Sequence, residues 1–301
     1  MTKVNPLFLA VLGIVVLACT LSACKKEEVD IPTPSSEPYT PPTEEEGVDY
    51  FLPGIDLANW KVTLPIGNPT EVEPPAIMAY ASNELLQDFM YNDSLDGSLV
   101  FYAYPGATTT NTSYSRCELR EQMVPGSNST NWTFAQGGVM EGTLAVPEVS
   151  RKPNMEYEKV IIMQIHGRLS NDQRDLIGAS DNNAPPVLKI MWHNGRIRVK
   201  TKVLKDLNTS ATDILRKDSW EDDEGFYFSE NVGTDPFSLK VEASEGKMVI
   251  TLNNGESNTY EGIHMEKWGV FQNYFKAGNY LQSTSADAFA RVKYYDLRVN
   301  H

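Results

Sequence analysis

The stretch "SYSRCELREQ", residues 113–122, decides how the chain is read. From Ser115 to Glu121 it has the character of a β-strand, along which side chains alternate between two faces. Cys117 and Leu119 then point one way, and Arg116, Glu118 and Arg120 point the other. An apolar face looks for a core, while a row of three charges needs a reason. Alone, Arg-Glu-Arg also reads as a self-neutralising ladder on a solvated sheet.

The surroundings repeat the strand pattern. "GSLVFYAYP", "GGVMEGTLAVP", "EKVIIMQIHG", "PVLKIMWHNGRIRVKTKV", "FSLKVEASEGKMVITLNN" and "FARVKYYDLRV" are short alternating runs punctuated by Gly, Pro or Asn-Gly. "HNGR" at 193–196 predicts a type I′ hairpin, and "ASEGK" predicts another. "MAYASNELLQDF" has room for one short helix or turn, and no internal repeat is present. Many strands with turn signals in one unit predict an all-β fold, a jelly-roll β-sandwich of two antiparallel sheets.

That unit does not fill the 301 residues. Residues 1–23 read as a secretory leader: Lys3, then the apolar run "PLFLAVLGIVVLA", too short for a transmembrane helix. "LSAC" resembles a lipobox, with cleavage before Cys24 and lipid attached to it. The plainer alternative is a simple signal peptide with an incidental Cys. Residues 24–48, rich in Pro, Glu, Ser and Thr, form an acidic, disordered tether with little to bury. Glu27 and Glu28 loosely resemble the surface-export signal of Bacteroidetes lipoproteins. These features predict an outer-membrane lipoprotein, held by a lipid anchor, with a single domain over 49–301.

The formal charge of −14 argues against nucleic acid as a partner. It leaves room for a local basic groove and an anionic substrate. Of three cysteines only Cys117 stays in the domain, which excludes an intrachain disulfide and two-Cys metal sites. "DGS" and "EDDEG" read as loops, so no metal or cofactor is expected.

Two further strands carry polar faces. In "EKVIIMQIHG", Gln164 and His166 share a side, with Ile165 opposite. In "QNYFKAGNYLQ", Tyr274, Lys276, Gly278 and Tyr280 share a side, with Phe275 and Ala277 opposite. Each stripe alone reads as ordinary solvent-facing surface. Side by side they make a groove of cations, an amide, an imidazole and phenols. Such a groove suits a polymer carrying carboxylates.

"RCELRE", "QIH" and "YFKAGNYLQ" resemble, in order, the three signature blocks of the alginate lyases of polysaccharide lyase family 7. "NWKVTLPIG" around Trp60 resembles the start of that family's domain, so the resemblance covers 50–301. Cys117 stands where Ser or Thr is usual, and Asn279 and Leu281 fall at variable positions. The resemblance implies a concave substrate groove and β-elimination on a 1,4-linked polyuronate, leaving a 4,5-unsaturated end. It implies catalytic roles for Arg116 and Gln164 as carboxylate neutralisers, His166 as base and Tyr280 as acid. Glu118, Arg120, Lys276, Tyr274 and Gln282 are expected to bind substrate, Glu118 by holding the two arginines apart. "QIH" is associated in the family with guluronate, so guluronate-containing blocks are the expected substrate; endo cleavage and a monomer are separate expectations.

Two alternatives remain at this level: a polyuronate-binding surface lipoprotein without catalysis, and a lyase for another polyuronate such as glucuronan. His193, His264 and His301 are not expected to be catalytic, and Trp192 and Trp268 are assigned to the core.

Overall fold

The computed structural model describes residues 53–108 and 112–301. The leader, the tether and Cys24 lie outside the described residues. Strands follow the chain as β1 (Trp60–Thr63), β2 (Glu71–Val72), β3 (Met90–Asn92), β4 (Leu99–Ala103), β5 (Arg116–Glu121), β6 (Trp132–Thr133), β7 (Gly138–Val149) and β8 (Val160–Arg168). They continue as β9 (Asn183–His193), β10 (Arg196–Leu204), β11 (Trp220–Asp222), β12 (Phe226–Asn231), β13 (Phe237–Ser244), β14 (Lys247–Leu252), β15 (Ser257–Glu261), β16 (Gln272–Leu281) and β17 (Ala290–Asn300).

They form the two antiparallel sheets of a jelly roll. The larger has ten strands ordered β11-β10-β9-β8-β16-β5-β1-β2, with β12 beside β10 and β6 beside β16. The smaller has seven, ordered β15-β14-β13-β7-β17-β4-β3. The non-sequential order carries function: β16, late in the chain, lies between β5 and β8. All three charged or polar stripes therefore become neighbours.

The core follows from alternation. Cys117, Leu119, Ile165, Phe275 and Ala277 are fully buried between the sheets, with Phe101, Met140 and Tyr294 of the smaller sheet in the same core. Burying a large apolar side chain contributes about 1.5–3 kcal/mol, so each strand's facing is strongly set. Trp192 and Trp268 are also core residues.

Polar bonds tie the sheets together. Tyr294 Oη donates to Ile162 O at 2.6 Å, and Asn279 Nδ2 donates to Phe101 O and Ala290 O at 3.0 and 2.7 Å. Asn279, an unremarkable position in the sequence, is a fully buried link between sheets. Gly278 has φ +131°, and a Cβ there would sit 2.8 Å from Cys117 O. Its smallness lets β16 approach β5, rather than opening space in the groove.

The turns obey the sequence signals. Asn194 and Gly195, at φ +52° and +80°, close the β9–β10 hairpin. Glu245 and Gly246 close β13–β14. "MAYASNELLQDF" holds a 3-10 stretch, Ala76–Ser82, and the short helix α1 (Glu84–Gln87). Two helices are not evident from the alternating pattern. One is α2 (Asn171–Ile177), capped by Ser170 and Gln173; the other is α3 (Ile263–Trp268), which contains His264.

Candidate active site

Strand register assembles the site on the outer face of the larger sheet. Lys276 lies opposite Arg120 on one side and Gln164 on the other. Tyr280 lies opposite Arg116, and Tyr274 opposite His166. Two adjoining cavities, of about 570 and 460 Å³, share Thr112, Arg116, His166 and Asn183. One extends over Arg120, Tyr274 and Lys276, the other over Gln164, Tyr280 and Gln282. Every residue that the sequence places in the site lines one of them, except Glu118.

Glu118 lies beneath them. It is 1% exposed, and its carboxylate organises what surrounds it. Gln164 Nε2 donates to its Oε1 at 2.5 Å; Lys276 Nζ and, at 3.3 Å, Arg116 Nη1 donate to its Oε2. The expectation that Glu118 separates two arginines is half corrected. Arg120 turns away and donates to Glu121 O, Asn128 O and Asn131 Oδ1 at 2.6, 3.1 and 2.8 Å. A buried carboxylate collects the donors nearest it, and Arg120 finds carbonyl acceptors of its own.

His166 is neutral. Burial, then the cations Lys276 and Arg116, push its pKa down to about 3, against a smaller opposing effect of Gly167 O. Nδ1 lies 3.0 Å from that carbonyl, which only accepts, so Nδ1 carries the hydrogen. Nε2 is left with the lone pair. The ring stacks on Tyr274 at 5.3 Å and 14°.

Tyr280 lies under Arg116, whose guanidinium carbon is 4.0 Å from the ring centroid, and Tyr114 meets it edge-on at 6.4 Å. Arg120 covers Tyr274 similarly at 4.1 Å. Burial raises the Tyr274 pKa, keeping that phenol protonated. Burial also lowers Lys276 to about 8, with Arg116 acting in the same direction and Glu118 opposing.

Other elements add groups that the three stripes do not contain. Lys61 of β1 and Arg168 of β8 line the first cavity; Lys189, Lys202 and Lys217 line the second. Against these cations the lining offers two carboxylates, Glu71, bonded to Lys61 at 2.6 Å, and Asp181. The groove is locally cationic in an acidic protein. Lys61 and Lys189 stand in register with Arg120 and Gln164, so strand pairing, absent from one-strand parity, was the missing signal.

A further cavity, of about 430 Å³, is lined by Trp60, Glu121 and Leu297–His301. Its titratable pair is already satisfied, because His301 Nε2 bonds Glu121 Oε1 at 2.5 Å. His264 Nδ1 accepts from Leu204 N, and His193 bonds Tyr227, so neither faces His166's work. "EDDEG" is partly strand, and its Asp222 is paired with Lys189 and Lys202 at 2.5 and 2.7 Å.

The fold and the site are those of a jelly roll whose cationic groove carries a neutral imidazole and a phenol under a guanidinium. The chain belongs to the alginate lyase family, whose model matches residues 55–301. It is similar to an alginate lyase of Klebsiella pneumoniae, 24% identical over 82% of this chain and 90% of that one. It is also similar to the solved alginate lyase A1-II′, a member of polysaccharide lyase family 7. That likeness has a TM-score of 0.64 and 28% identity, over 81% of this chain and 95% of that one. A further A1-II′ structure, with one His replaced by Asn and one Tyr by Phe, is a complex with substrate (GGMG). It is 26% identical over 82% of this chain and 94% of that one, with a TM-score of 0.65.

Proposed function

We propose that this groove cleaves alginate by β-elimination, with Arg116, Gln164, His166 and Tyr280 as the catalytic residues. The open Nε2 of His166, in one cavity with Arg116, Gln164 and Tyr280, carries the reading. An imidazole with a free lone pair, lining a groove that attracts carboxylates, is placed to take a proton beside a carboxylate, and a carboxylate bound there raises its basicity.

The C5 proton of a uronate is a weak acid, because its loss adds charge next to an existing anion. Arg116 and the amide of Gln164, both oriented by Glu118, hydrogen-bond the carboxylate as that charge develops. His166 Nε2 takes the proton. The C5–H electrons form the C4–C5 double bond, the C4–O4 bond breaks, and O4 takes a proton from Tyr280. Arg116 over the ring stabilises the phenolate left behind. Proton return from His166 to Tyr280 restores the site, and no water is consumed. Arg120, Lys276, Tyr274 and Gln282, which line the groove, bind substrate, and Glu118, buried beneath it, positions its three donors instead of touching the chain.

On guluronate the proton and leaving group lie on opposite faces, which suits two separate groups. On mannuronate they share a face, where Tyr280 serves as base and acid. Cavities on both sides of Arg116 and His166 support endo cleavage. Ile165 is fully buried, so its association with guluronate works through the backbone that carries His166. The proposal includes lipidation of Cys24 and anchoring at the outer membrane.

The test is ultraviolet absorbance of the unsaturated product on guluronate, mannuronate and mixed alginate blocks, and on glucuronan. His166→Ala and Tyr280→Phe should each lower kcat by about 10²–10⁴-fold. A folded wild type that binds alginate and releases no unsaturated product defeats the lyase reading in favour of a binding protein.

A further inference from the structure

The strand β10 carries Arg196, Arg198, Lys200 and Lys202 at every second position, so all four project from one face. Same-face neighbours stand roughly 7 Å apart along a strand. Register identifies the face: Lys200 pairs with Lys189, and Lys189 pairs with Gln164. The row therefore continues the surface of the groove, and its end Lys202 lines the groove itself.

Lys202 has a counter-ion, Asp222. Arg196, Arg198 and Lys200 form no ion pair with a carboxylate among the described residues. The two arginines are instead fixed by backbone carbonyls: Arg196 Nη2 donates to Phe228 O and Arg198 Nη2 to Glu224 O, each at 2.7 Å. Both guanidinium carbons lie close to the Tyr227 ring, at 5.2 and 5.1 Å. Tyr227 is itself bonded to His193 Nδ1 at 2.7 Å. Lys152 and Lys159 add positive charge near His193, against Glu156. Glu256, the acid near Arg196, is already bonded by Ser229.

Unpaired like charges on one strand repel one another and contribute nothing to the core. Pre-oriented donors, by contrast, lose little entropy on meeting an anion. We propose that Arg196, Arg198 and Lys200, flanking Tyr227, form an outer rail that binds carboxylates of the polyuronate chain beyond the catalytic cleft. This rests on the reading of the groove as a polyuronate site, whose face the rail extends. Its ligand is the stretch of an anionic polymer too long for the cleft alone.

The test uses retardation in alginate-containing native gels, with His166→Ala as parent so that the polymer is not degraded. Each exposed cation–carboxylate contact is worth a few-fold, so replacing all three residues by Gln should weaken binding about tenfold and flatten its salt dependence. In the active protein, the ratio of kcat/KM on polymer to that on trisaccharide should fall similarly. If the triple variant does not fold, Lys200→Gln alone, whose side chain makes no hydrogen bond or ion pair among the described residues, should weaken retention about two- to threefold. Retention and ratio equal to those of the parent proteins overturn the rail. A wild type without lyase product but with rail-dependent retention overturns the proposed reaction and leaves the rail standing.

Discussion

Gln164 and Glu118 sit on strands that never pair with each other, yet Gln164 Nε2 donates to Glu118 Oε1 at 2.5 Å across the intervening β16. The same carboxylate holds Lys276 and Arg116. One buried acid thus orients three donors that would otherwise repel or rotate. Removing one partner of a buried charge set typically costs about 3–5 kcal/mol. Glu118→Ala should lower the melting temperature accordingly, and kcat should fall by at least about a hundredfold as Arg116 and Gln164 lose their orientation. Calorimetry and the absorbance assay read the two effects separately.

With His166 as the proposed base, its depressed pKa makes a prediction for the acid side of the pH profile. Its folded pKa of about 3 is below the unperturbed value near 6.5. The base therefore remains unprotonated as pH falls through 6.5, and kcat/KM should show no acid limb from this residue until pH approaches about 3. The linkage has the opposite benefit for folding. Between those two values the unfolded chain binds the proton and the folded one does not, so this residue's contribution makes stability decline as pH falls. An acid limb near 6.5 that disappears in a His166 variant retaining activity would contradict the neutral, half-buried imidazole.

Lys276 is expected to govern the alkaline side. With a folded pKa of about 8, it loses its charge as pH rises through that value, and Glu118 loses one of its cations. The expected outcome is a decline in kcat/KM above pH 8. Lys276→Arg keeps the charge at every accessible pH and should remove that limb, whatever it costs in absolute rate. A limb that is unchanged in the Arg variant assigns it elsewhere.

Gly278 tests the approach of β16 to β5. Its φ of +131° and the 2.8 Å separation of a built Cβ from Cys117 O leave no unstrained place for a side chain. Gly278→Ala should destabilise the fold by about 1–3 kcal/mol. Because Lys276 and Tyr280 flank it, activity should fall further than stability alone explains. Denaturant unfolding compared with kcat at low temperature separates the two.

Cys24 tests the proposed anchor. Cys24→Ala should shift the protein from the membrane fraction to the soluble fraction, with the lyase assay unchanged, because the domain that carries the groove begins well beyond it. Equal fractionation of variant and wild type would remove the lipid anchor from the proposal.

Parity within one strand made much of this legible. Cys117 and Leu119 face the core, while Arg116, Glu118 and Arg120 share the other side, as alternation requires. Two-residue hairpins announced themselves at Asn194-Gly195 and Glu245-Gly246, where Asn194, Gly195 and Gly246 take positive φ. Lys61, Lys189 and Lys202 were not legible as site residues, since each belongs to a strand whose neighbours are known only from register. Asn279 was no more visible, because its partners, Phe101 O and Ala290 O, are backbone atoms of the opposite sheet. Nor was the bond between Glu121 and His301, residues far apart in the chain.

The sequence by itself determined the facing of each strand, because a one-residue shift would drive charges into a core that gains about 1.5–3 kcal/mol from each large apolar side chain. It also supplied the proposed reacting groups and the family resemblance. Only the tertiary structure decided who meets whom. Insertion of β16 between β5 and β8 brought Lys276 between Arg120 and Gln164, and gave Glu118 its three donors. Long-range strand pairing, rather than local pattern, placed a neutral His166 in a cationic groove and set the cation row of β10 on the same face of the sheet.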